Sequence, residues 1–243
     1  MMHFIKTLKN IGLGILILVI GVSCSNDDQA TSEPQMGYFV KEIVTFGEHD
    51  SLVLSFEYDN HNRMISQRSN DLLMEFGYND LGQMTTYKED GKLLFGFEYS
   101  NDLITKQLIY SPVYDSITEE IAFTFSNGYY ISQQDTIIKI GQNKQILEYV
   151  VDQVEFLYGE ETGVHPHLSP IPARFLIDPD ALLYDMTISN QELQGFSTLT
   201  RLAIVMSSRN DKGLIERIDM KNMPDERITQ SWEITYEQRI LNP

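Results

Sequence analysis

One phrase recurs in the first half of this chain and limits what the chain can fold into. Phe56-Glu57-Tyr58-Asp59-Asn60-His61-Asn62-Arg63-Met64 lines up with Phe76-Gly77-Tyr78-Asn79-Asp80-Leu81-Gly82-Gln83-Met84, and a shorter copy runs Phe97-Glu98-Tyr99-Ser100-Asn101-Asp102-Leu103-Ile104. Weaker copies start at Phe123 and Ile138. A recurring unit of this length means one supersecondary element stacked on its like. Leu52, Leu54, Phe56 and Tyr58 alternate with Val53, Ser55 and Glu57, so one face of a strand is apolar. The same alternation runs through Leu72–Tyr78 and Leu93–Tyr99. Each aromatic pair is followed by Asn, Asp, Ser or Gly, residues that tolerate tight-turn backbone. A second apolar strand then returns, and Asp90-Gly91 between Thr85–Tyr87 and Lys92–Leu94 is a two-residue hairpin signal. The unit is strand, turn, strand, turn.

Those residues resemble YD repeats of the Rhs type: Tyr-Asp, two variable residues, Gly-Arg, then an aliphatic. Tyr58-Asp59 with Arg63-Met64 carries most of the pattern, with Asn62 in place of Gly. Tyr78-Asn79 with Gly82-Gln83-Met84 keeps the Gly, whereas Tyr99-Ser100 keeps neither Gly nor Arg. The resemblance covers residues 50–146 and is structural rather than catalytic. It is shared with short YD-like lipoproteins of Bacteroidota. Large Rhs proteins enclose a toxin in a shell, but five degenerate units are too few for that, so only the strand architecture carries over.

In the second half, Val154–Tyr158 repeats the alternation before the stretch Gly159–Pro179, with Pro166, Pro170, Pro172 and Pro179, breaks it into an irregular loop. Ala181–Tyr184 and Gln191–Gln194 lack breakers and leave room for one short helix within 180–195. Strands resume at Thr200–Met206, Gly213–Met220 and Thr229–Glu237, the last in the repeat's own form through Trp232, Ile234 and Tyr236. The expected fold is all-β: an antiparallel meander of YD-like hairpins over residues 36–240, forming one twisted or curled sheet with a Pro-rich loop.

Residues 1–23 read as a signal peptide. Lys6 and Lys9 precede an apolar run from Ile11 to Val22, too short for the roughly 20 residues that span a bilayer. Gly21-Val22-Ser23-Cys24 resembles a lipobox, although the preferred Leu is replaced by Gly21. That resemblance makes Cys24, the only cysteine, the lipidation site, and two or more acyl chains give stable anchoring. Ser25-Asn26-Asp27-Asp28 is similar to the acidic tract of surface-exposed Bacteroidota lipoproteins, which implies an outer-membrane, cell-surface location. Residues 24–35 hold nothing apolar larger than Ala after the lipidated Cys24, and form a flexible tether.

The net charge is −17 and becomes more negative by two once Lys6 and Lys9 are removed with the signal. Such a balance disfavours nucleic acid, which is bound through basic contacts to phosphate. With one Cys there are no disulfides and no thiolate metal sites in the mature domain. His165 and His167, two apart and near Glu160 and Glu161, could together hold zinc, but no third His lies nearby and no metal site is assigned. Gly195-Phe196-Ser197-Thr198-Leu199 begins like a nucleophile elbow and ends without its second Gly. Phe56, Tyr58, Phe76, Tyr78, Phe97 and Tyr99 could stack sugars, but their alternation makes them core. No catalytic residue and no cofactor is assigned.

The expected function is therefore a cell-envelope lipoprotein acting as a non-catalytic binding or structural module, not an enzyme. Its partners would be the membrane through the lipid, and a glycan or envelope protein. Two alternatives are a carboxylate-dependent hydrolase of glycans or peptides, and an accessory subunit docking an outer-membrane partner through a free sheet edge.

Overall fold

A computed structural model describes residues 34–241 apart from 48–50, 133–134, 142–145, 151–152, 168–189 and 226. The signal segment, Cys24, most of the tether, most of the Pro-rich loop and Ala181–Tyr184 thus lie outside the described residues. The described chain holds strands β1 (Met36–Phe46), β2 (Ser51–Tyr58), β3 (Met64–Ser69), β4 (Leu72–Tyr78), β5 (Met84–Glu89), β6 (Lys92–Ser100), β7 (Leu103–Tyr110) and β8 (Ile117–Ser126). Then follow β9 (Tyr129–Ser132), β10 (Asp135–Ile140), β11 (Ile146–Tyr149), β12 (Val154–Thr162), β13 (Gln191–Ser197), β14 (Leu202–Arg209), β15 (Ile215–Met223) and β16 (Arg227–Ile240). Gln191–Gln194, expected in a short helix, is the start of β13. Leu193 and Phe196 there pair with Tyr158 and Phe156 of β12 and are both buried, a register slip opposite Leu157/Tyr158 bringing the two, three residues apart, to the same side.

Each strand pairs antiparallel with its sequence neighbours, and β16 pairs with β1, so the meander closes into a sixteen-stranded barrel. This corrects the expected single twisted or curled sheet. The seam runs from Met36 opposite Ile240 to Phe46 opposite Ser231, the longest pairing in the molecule. The physical reason is twist. Strands rotate against their neighbours in a fixed sense, and strongly twisted open sheets rarely exceed about 10 strands before they curl. At sixteen strands the two outer edges meet, and closure satisfies the backbone groups that both edges would expose.

Every strand sends at least one side chain into a core that water does not reach. Phe39, Val40 and Ile43 come from β1, Phe76 from β4, Tyr130 from β9, Ile138 from β10, Ile146 from β11 and Trp232 with Ile234 from β16. The repeat aromatics Phe56, Tyr58, Phe76 and Phe97 are buried there too, with Tyr78 and Tyr99 partly buried against them.

The recurring phrase encodes an interlock between successive hairpins. The first two repeat turns are held by a side-chain oxygen: Asp59 Oδ1 accepts from the N–H of His61 and Arg63, and Asn79 Oδ1 accepts from Leu81 and Gln83. Asn62 and Gly82 take up the left-handed backbone in these turns, at φ 61° and 77°. Past each turn the register slips by one residue, opposite Glu57/Tyr58, Gly77/Tyr78 and Glu98/Tyr99. The repeat tyrosine then donates its hydroxyl back to an earlier backbone carbonyl: Tyr58 to Val40 at 2.8 Å, Tyr78 to Met64 at 2.7 Å and Tyr99 to Met84 at 2.6 Å. Arg63 and Gln83 reach forward instead, to the carbonyls of Asn79 and Asn101.

Candidate functional site

Since register decides which side chains leave the barrel, the outer wall can be followed strand by strand. Glu57, Ser66, Glu75 and Lys88 form one cross-strand row over β2–β5. Glu98 pairs with Lys106 on β6–β7. The Lys106 ammonium reaches Glu120 at 3.1 Å and Glu98 at 3.7 Å, and these contacts hold its pKa above the usual lysine value. Lys139, Glu148 and Glu155 continue the row on β10–β12, and Arg217 with Asp219 and Glu233 on β15–β16. Apolar side chains interrupt the charged rows in places, as on β12–β14, where Leu157 (57% exposed) and Ile204 (38% exposed) flank Gly195.

This polarity has a plain chemical meaning. A membrane-spanning barrel turns an apolar band of about 25 Å outward and keeps its interior polar. Here mid-strand carboxylates, ammonium and guanidinium groups point outward while Phe, Tyr, Ile and Met fill the inside.

One rim carries the repeat turns, the entry of the chain at Gln35 and its exit at Leu241, whose N–H donates to the Gln35 carbonyl at 2.7 Å. The segment after β12 folds over this rim: Val164 and His165 are buried, the His165 ring meets Phe56 edge-on at 5.6 Å, and the His167 ring lies 5.3 Å from Phe39. Loss of solvent around His167 lowers its pKa. The two imidazoles thus pack on rings of β1 and β2. Glu161 pairs instead with Arg209 at 3.1 Å, and no group of three potential metal ligands forms among the described residues. Ser197 sits within β13, facing Glu155 and Leu202 in the register, with no sharp strand-to-helix turn to raise it as a nucleophile.

The repeat turns also reveal a unit that was hidden in the sequence. Asn210 Oδ1 accepts from the N–H of Lys212 and Leu214, Gly213 has φ 75°, the register slips opposite Ser208/Arg209, and Tyr236 donates to the Ile215 carbonyl at 2.9 Å. Asn210-Asp211-Lys212-Gly213-Leu214-Ile215 is thus the same phrase as Asn79-Asp80-Leu81-Gly82-Gln83-Met84. Its signal was the Asn-x-x-Gly-x-aliphatic spacing, masked because Arg209 stands where the other units have Tyr.

No family model matches the sequence, and no curated protein matches it. Among solved structures, a porin-like protein from Bacteroides vulgatus ATCC 8482 aligns over 83% of this chain and 99% of its own, with TM-score 0.45 and 11% identity. A porin-like protein from Bacteroides uniformis ATCC 8492 aligns over 81% of this chain and 96% of its own, with TM-score 0.37 and 10% identity. Likeness at that level does not extend to activity.

The expected lipoprotein acting as a binding or structural module is corrected at this point. That reading rested on a repeat-built sheet serving as scaffold behind a lipid anchor and tether, whereas the chain forms a closed sixteen-stranded barrel. The docking subunit falls with it, because β1 and β16 leave no free edge to augment. The hydrolase was expected to carry its carboxylates at one end of the sheet. Glu57, Glu75, Glu98, Glu148 and Glu155 are spread along the outer wall instead.

Proposed function

We propose that this chain is an outer-membrane-associated barrel that faces water over its wall and stands beside the bilayer without crossing it or conducting through it. The observation that carries the reading is the polarity of the wall: Glu75, Glu98, Lys106 and Glu120 lie within their strands, and Glu57 and Lys88 next to strand ends, all on the outside, where a lipid-facing barrel would place apolar groups. A charged side chain at the bilayer midplane costs about 2–4 kcal/mol for Lys or Arg, and this wall would bury many at once. The inward aromatic and aliphatic packing supports the second half of the reading, since a water-filled pore needs a polar lining.

Attachment then falls to the lipid on Cys24, with residues 25–35 as the tether and Ser25-Asn26-Asp27-Asp28 directing the barrel to the cell surface, as in the Bacteroidota lipoproteins with short YD repeats that the sequence resembles. Two arms test this. In detergent phase separation, the mature Cys24→Ala chain remains in the aqueous phase while the wild type follows the detergent, and only the wild type takes up an alkyne fatty acid in cells. In planar bilayers neither chain raises conductance. A Cys24→Ala chain that needs detergent to stay in solution, or discrete conductance steps from either chain, overturns the reading.

A further inference from the structure

We propose that the outer wall over β2–β5 holds a binding site for a small zwitterion, an amino acid or short peptide presenting its free amino and carboxylate groups. The wall dips there into a depression of about 320 Å³, bounded by Glu57, Ser66, Arg68, Glu75, Thr86 and Lys88 over the backbone of Gly77. That size lies at the lower end of small-ligand sites. Gly77 brings no side chain to the floor, and the Thr86 hydroxyl leans into the place that a Cβ there would take.

The arrangement of charge is what separates this stretch of wall from the next. On β6–β8 the outward charges close on one another, with Lys106 bound to both Glu98 and Glu120. On β3–β5 they do not. Glu75 and Lys88 are direct cross-strand partners, and Arg68 lies diagonally across from Glu75, yet none of the three makes an ion pair or a side-chain hydrogen bond. Ser66, buried beneath them, donates to Glu57 at 3.1 Å and fixes that carboxylate at one side of the depression. Two cations and two carboxylates thus border a single hollow. A carboxylate between Arg68 and Lys88 and an amine between Glu57 and Glu75 would meet all four, and charge-assisted hydrogen bonds of this kind are the strong ones. Ile65 and Leu73 supply a short apolar wall for the part of the ligand between them.

The site rests on the reading that this wall faces water, and the two can fail separately. If the Cys24→Ala chain needs detergent, the water-facing reading fails; if it is soluble and binds nothing, only the site fails. The probe is glycylglycine at millimolar concentration, followed by amide shifts of the isotope-labelled mature Cys24→Ala chain. Shifts should be confined to Ser66, Gly77, Thr86 and Lys88. N-acetylation or C-amidation of the probe should each weaken binding about tenfold or more, and so should Arg68→Gln and Lys88→Gln. Those substitutions remove no contact of the fold, so the melting temperature serves as their control. Absence of shifts, shifts elsewhere, or equal binding by blocked probes or by Arg68→Gln would overturn the site.

Discussion

The hairpin β4–β5 and the closing hairpin β14–β15 use different letters for the same construction. At Asn79 and at Asn210 a side-chain amide oxygen accepts from the N–H groups two and four residues on, a glycine at the fourth place turns left-handed, and an aliphatic residue restarts the strand. The tyrosine of the following strand donates to the carbonyl of that aliphatic residue, as Tyr99 does to Met84 and Tyr236 does to Ile215. What differs is the partner of the turn. Arg63 lies 5.0 Å over the ring of Tyr78 in the next unit, whereas Arg239, from the far end of the chain, lies 5.5 Å over Tyr58 of the first. Arg239 also donates to the carbonyls of Tyr58 and Asp59 and to Asn62 Oδ1. The staple that joins neighbours along the repeat array is thus used once more to join its last strand to its first hairpin. A repeat that stacks can also close, provided that its end carries the same staple.

If the two hairpins are equivalent, their aliphatic anchors should matter equally. Met84→Ala and Ile215→Ala each empty a fully buried position and should each cost about 2–5 kcal/mol in denaturant unfolding. A cost at Met84 alone would break the equivalence. The staples should then separate the two regions. Arg239→Ala should cost about 2 kcal/mol and Arg63→Ala about 1 kcal/mol, because the first closes the barrel while the second, similarly exposed, joins strands already linked in sequence. Tyr78→Phe and Tyr236→Phe each leave a carbonyl without its donor and should cost about 1 kcal/mol apiece.

The smallest effect concerns the turn oxygen. Burial raises the pKa of Asp59, but the hydrogen bonds from the Arg63 backbone and guanidinium, then the His61 N–H and the Arg63 charge, outweigh it and leave the carboxyl below its usual 3.8. A lowered pKa in the fold means a contribution that is complete above pH 3.8 and is lost as pH falls below it. Asp59→Asn, which copies Asn79, should change stability by under about 0.5 kcal/mol at neutral pH. Between neutral pH and about pH 2 its melting temperature should fall less than that of the wild type.

Period-two alternation and turn chemistry are local, and they were legible: the strands of the first half, the Asp90-Gly91 hairpin and the inward place of Phe56, Tyr58, Phe76 and Phe97 all follow from them. Closure was not legible, because pairing of β1 with β16 joins Val44 to Glu233 across almost the whole chain, and no local pattern reports strand count against twist. Gln191–Gln194 misled because four residues without a breaker suit helix and strand alike, and only the burial of Leu193 beside Tyr158 decides. The outer wall was half legible. Glu57 stood out as a polar member of its strand, but the depression over Gly77 depends on which residues pair across four strands.

Closure is the claim on which the rest depends, and the seam gives it a direct measurement. Val44 and Glu233 face each other on β1 and β16, both outward. In a mature chain carrying Val44→Cys and Glu233→Cys in the Cys24→Ala background, mild oxidation should yield an intramolecular disulfide in a monomer, with both thiols protected from alkylation. Thiols that stay free, or that form only disulfides between chains, would show that the two edges do not meet and would contradict the barrel.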